Sequence, residues 1–179
     1  VHLNMSARGS GEKPSIVVLH SINFEESWTK QTYLDIERKF GEEGFTVKAI
    51  PLQIPGIRTM EGFQEKRKMI LERVPVPPTL VVCIGDPSWL ITSPLFDKEW
   101  KDIPSIICYA RDYMYPKEEY LIDLDKNVLD TLVPITDVVK GYNATFIKYS
   151  VYIKQTIELI KKLQPGLTKL AFIFDHRYI

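Results

Sequence analysis

What this sequence lacks narrows its chemistry first. No apolar run approaches the roughly 18–20 residues that cross a bilayer, and no signal-peptide pattern opens the chain. There is no net charge: 23 Lys and Arg balance 23 Asp and Glu, so the electrostatic footprint of a nucleic-acid or anionic-membrane binder is missing. The one basic cluster, Lys66-Arg67-Lys68, follows Glu61 and Glu65 in a helical pattern and reads as a solvated helix face. Cysteine is scarce. Cys83 and Cys108 each lie in a short apolar run, where a thiol behaves as a small hydrophobe and bridge geometry is rarely met.

Catalytic signatures are missing too. There is no G-x-G-x-x-G after the first strand, no G-x-x-x-x-G-K-[ST] and no G-x-S-x-G, which disfavours dinucleotide, P-loop and nucleophile-elbow chemistry. His2, His20 and His176 stand apart from any C-x-x-C or H-E-x-x-H spacing, so neither a metal nor a cofactor has positive support. His20-Ser21 could be imagined as a nucleophile pair, but neighbours leaving a strand point in different directions. The domain is read as non-enzymatic, with no catalytic residue assigned.

What is present is an alternation. At 179 residues the chain suits one buried core. Residues 1–13, with Gly9-Ser10-Gly11 and few apolar side chains, read as a flexible end, and 14–179 as a single α/β domain. Apolar runs of strand length occur at 15–20, 45–52, 79–84, 103–109 and 169–174, with a shorter one expected at 136–142. Between them fall helical spacings: Trp28, Tyr33, Ile36 and Phe40, stopped by Gly41 and Gly44; Met60, Phe63, Ile70, Leu71 and Val74 behind a Thr59 cap; a short helix through Trp89 limited by Pro94; and a helix from Ile147 to Leu163. Residues 110–133 carry no clear period and read as loop with a short helix. Short loops between strands and helices imply a doubly wound, mostly parallel sheet of five to six strands with helices on both faces.

In such a sheet, ligands collect beyond the carboxyl ends of the strands, where strand order reverses. The chain places polar groups there: Ser21 and Asn23 after the first strand, Asp86 after the third, Arg111 after the fourth and Asp175 after the last, with Trp28 nearby as an aromatic platform. Each has a plainer reading. Asp86 before Pro87 suits a helix N-cap slightly better than a ligand contact. Ser21 and Asn23 suit local turns, Arg111 and Asp112 suit each other as a surface pair, and Trp28 suits the core.

Val18 to Glu25 with Trp28, Lys140-Gly141-Tyr142, and Thr156 to Pro165 leading into Lys169 to Ile173 resemble the substrate-binding proteins of ABC transporters, that is, the periplasmic-binding-protein-like family. The likeness is greatest to extracytoplasmic input domains of bacterial two-component sensor histidine kinases, hybrid sensors included. The resemblance implies a first lobe that closes with a second lobe around a small-molecule ligand, an extracytoplasmic location, and membrane-linked signalling or transport partners outside these residues. It leaves a homodimer open and implies no nucleic-acid partner. The alternatives are the solute-binding component of an ABC transporter and a cytoplasmic flavodoxin-like interaction domain.

Overall fold

The structure, a computed structural model, describes residues 13–22, 27–122, 131–149, 153–166 and 169, excluding the side chains of 27–29, 153 and 154. The order is β1 (Ser15–His20), α1 (Ser27–Glu42), β2 (Thr46–Pro51), a 3-10 turn (Ile54–Gly56), α2 (Met60–Arg73), β3 (Leu80–Ile84) and α3 (Asp86–Phe96). After these come β4 (Ser105–Ala110), β5 (Tyr113–Met114), a second 3-10 turn (Glu118–Leu121), β6 (Val133–Pro134), α4 (Ile135–Val138), β7 (Ala144–Lys148) and α5 (Ile153–Leu163).

Five strands form one sheet in the order β2-β1-β3-β4-β7, and every pairing is parallel. The expected doubly wound α/β architecture is present. This order is the flavodoxin-like one, in which direction reverses between β1 and β3. β5 and β6 make a small antiparallel pair apart from it.

The strand pleat sorts each apolar run into two cores. Val17, Leu19, Val81, Cys83 and Ile107 face a large cluster with Phe63 and Ile70 of α2, Trp89 and Ile91 of α3, and Ile135 of α4. Ile16, Val18, Leu80, Val82 and Ile84 face a smaller one, packed by Tyr33, Ile36 and Phe40 of α1. The uninterrupted apolar runs of β1 and β3 follow from this double coverage. Cys83 and Cys108 belong to opposite faces, which rules out a bridge between them. Burial pushes the Cys83 thiol up to about 12 and raises that of Cys108 as well.

Local signals set the helix ends. Thr59 Oγ1 accepts from the Gly62 amide at 3.1 Å, the expected cap of α2. α1 runs through Gly41 and closes at Gly44, whose φ is +88°. There the Phe45 amide donates to Phe40 O and Gly44 N to Gly41 O, each at 3.0 Å, while the Phe40 and Phe45 rings meet edge-on at 5.7 Å.

Three expectations need correction. Residues 136–142 are not a strand: Ile135, Val138, Val139 and Tyr142 pack on the core at helical spacing, so α4 and a turn form behind Pro134. The fifth sheet strand is Ala144–Lys148, which draws Ile147 out of the helix expected to begin there; α5 starts at Ile153. Pro94 does not end α3, which continues to Phe96. The proline leaves the Leu90 carbonyl without its helical amide, and the Ser93 hydroxyl donates to it at 3.0 Å. Within residues 110–133, expected as loop with a short helix, β5, the second 3-10 turn and the start of β6 form. The strand expected at 169–174 lies outside the described residues apart from Lys169.

Candidate functional site

Parallel pairing puts the carboxyl ends of β1, β3 and β4 side by side, so His20-Ser21, Gly85-Asp86 and Ala110-Arg111 share one rim at the switch point. The closest approach is between the first two. Ser21 Oγ donates to Ile84 O at 2.9 Å and accepts from the Ser88 amide at 3.1 Å. A hydroxyl from the end of β1 thus caps α3 from a distant part of the chain. Gly85 makes room for it: its φ is +88°, and a Cβ there would stand 2.8 Å from Ser21 Oγ.

Asp86 is therefore not the cap that its Asp-Pro context suggests. It is the first residue of α3 rather than its N-cap. Its carboxylate, 2% exposed, turns to the neighbouring strand end, where Oδ1 accepts from the Arg111 amide at 3.2 Å and Oδ2 from Arg111 Nε at 2.6 Å. A buried carboxylate must be paired, and a guanidinium with a backbone amide satisfies it more fully than one helix amide. The Arg111–Asp112 pair is corrected by the same contacts. Asp112 instead meets Lys148 Nζ at 2.5 Å, with both side chains more than half exposed. Arg111 remains about one third exposed, and its Nη atoms take no partner among the described residues.

Next to this pair, β4 departs from regular geometry. Its register against β7 slips between Cys108 and Ala110, leaving Tyr109 as an extra residue with φ +59°. A bulky side chain in the left-handed region carries about 1–3 kcal/mol of strain. The slip has a consequence for packing. In an unbroken pleat Tyr109 would follow Ile107 onto the face of the large core; with the bulge, Ala110 takes that place and is fully buried. Tyr109 is displaced outward, 36% exposed, with its hydroxyl 2.9 Å from Thr32 Oγ1 on α1 and its ring 6.2 Å from that of Tyr149.

Of the residues singled out in the sequence, Ser21, Asp86 and Arg111 converge at this rim. Asn23, Asp175 and the Trp28 side chain lie outside the described residues. Tyr109 and Lys148 escaped the sequence reading, because no local pattern announces a bulge and Lys148 had been placed within a helix. No family model matches the chain, and no curated protein matches it.

Among the described residues no group of His, Cys, Asp and Glu is arranged to hold a metal ion. No described helix is long and apolar enough to cross a membrane. An open groove of about 610 Å³ between α2 and α3, lined by Arg67, Leu71, Pro94 and Leu95, lies toward the C-terminal ends of both helices. Helices that return from a parallel strand end at the opposite edge of the sheet, so this groove is away from the rim. Its lining mixes Arg67, Lys68, Glu72, Lys98 and Glu99 with Leu71, Pro94 and Leu95, and none of the described residues singled out in the sequence as ligand contacts borders it.

Proposed function

We propose that the chain is the ligand-binding lobe of an extracytoplasmic receptor of the periplasmic-binding-protein-like kind, the input region of a bacterial two-component sensor, which takes a polar small molecule at the carboxyl rim of β1, β3 and β4. One observation carries the reading. Ser21, Asp86 and Arg111 come from separate strand ends to one rim at the switch point, and Arg111 is held by a buried carboxylate while its Nη atoms take no partner among the described residues. The strained Tyr109 bulge beside it supports the same reading, since such strain clusters at binding sites. No catalytic residue is assigned, and partners for signalling belong to other parts of the receptor.

A second reading has its own support. Ser21 and Asp86 spend their side-chain oxygens on internal bonds, as they would in a flavodoxin-like interaction domain with no ligand. A thermal-shift screen against small polar metabolites separates the two. A compound present at a hundred times its Kd adds about 2.7 kcal/mol to the native state, and that rise in Tm is expected. A flat response across the library would favour the interaction domain.

A further inference from the structure

From the way Asp86 holds Arg111 we infer that the ligand is an oxyanion, and that the Nη edge of Arg111 is its main anchor. This rests on the rim being a ligand site.

The two Asp86 oxygens fasten Arg111 at its backbone amide and at Nε, both on the inner side of the residue. An arginine that served only to neutralise Asp86 would meet the carboxylate through paired Nε and Nη donors. Here, among the described residues, the Nη donors take no partner, on a side chain one third exposed. A guanidinium held this way presents a rigid planar fork, and a fork is complementary to carboxylate or phosphate oxygens rather than to a neutral group. Asp86 acts as a positioning residue: it removes the rotamer freedom that binding would otherwise have to remove.

A second cation stands close by. Lys148 pairs in register with Ala110, the residue before Arg111, and its partner Asp112 is exposed. Exposed pairs of this sort contribute little, so Lys148 can exchange Asp112 for a ligand oxygen at small cost.

The test uses matched pairs, each a small carboxylate and its carboxamide, together with inorganic phosphate, titrated calorimetrically into the wild-type protein and the Arg111→Lys and Lys148→Gln variants. Arg111→Lys keeps a charge for Asp86 and loses the fork, and native Tm is checked for each variant. We expect acids or phosphate to bind and amides to bind at least about tenfold more weakly; Arg111→Lys should lose about tenfold or more, and Lys148→Gln a few-fold. Preference for the carboxylates or for phosphate identifies the source of the oxyanion. If amides bind as well as acids, or Arg111→Lys binds unchanged, the oxyanion assignment is wrong while the rim stays a ligand site. If neither acids, phosphate nor amides bind, the ligand-site reading falls and this inference falls with it.

Discussion

Among the described residues, the two faces of the sheet are covered unequally. On one face α2, α3 and α4 bury Phe63, Ile70, Trp89, Ile91 and Ile135 against β1, β3 and β4, and the stacked Trp89–Phe96 rings, 5.1 Å apart, extend that core to Trp100. On the other, among the described residues, α1 alone contributes Tyr33, Ile36 and Phe40, each partly exposed, and Ile147 toward the β7 side is 60% exposed. Among the described residues the face with the smaller cluster carries Tyr109 and its contact to Thr32.

The largest effect that would break this contrast is in the cores themselves. Phe63→Ala, which empties a fully buried site, should cost about 3–5 kcal/mol, and Phe40→Ala about half as much, because Phe40 is already partly in water. Urea midpoints of the two variants would measure this, and equal losses would erase the distinction between the faces. At the seam between them, Gly85→Ala combines positive φ with a contact to Ser21 Oγ and should cost about 1–3 kcal/mol. The companion variant Gly85→Ala with Ser21→Ala should cost less than the sum of the two single changes if that contact is real.

Tyr109 offers a finer comparison. Tyr109→Gly and Tyr109→Ala both remove the ring, and only glycine relieves the left-handed backbone, so the glycine variant should be the more stable by about 1 kcal/mol. Identical midpoints would mean that the bulge carries no strain.

The smallest effect at neutral pH concerns the thiols. Cys83 is raised from 9.0 to about 12 by burial, so the folded chain keeps its proton where the unfolded chain has shed it. Its contribution is fully present below 9.0 and is lost as pH rises from there towards about 12. The fall in stability across that window should be shallower in Cys83→Ala. In the native protein, alkylation should reach the half-buried Cys108 first and Cys83 only on unfolding. Equal labelling rates would contradict the two-face assignment.

Much of the core was legible because its periodicity is local. The runs at 15–20 and 79–84 read as strands, the second as one covered on both faces, and the Thr59 cap could be read from a few residues. What escaped depends on distant partners. Asp86 beside Pro87 has the local marks of a cap, yet the cap comes from Ser21 and the carboxylate is claimed by Arg111. β7 was hidden because it borders only β4 among the described residues and alternates weakly, while the β-branched residues of 135–139 imitate a strand although their spacing is helical. At the site, the converging loops could be named in advance from the alternation of elements; the bulge that sets Tyr109 could not, since a slip in register is a property of two strands.

The bulge also separates, at a single residue, what the interior packs from what the strand leaves outside it. Deleting Tyr109 would restore an even pleat, keep Ala110 on the buried side and leave Arg111 next to Asp86. The polypeptide therefore carries, near the end of a central strand, a residue its interior does not require, and the sheet can lose or exchange it without repacking. Variation in the outer surface beside the strand can then arise at that position independently of the scaffold beneath it.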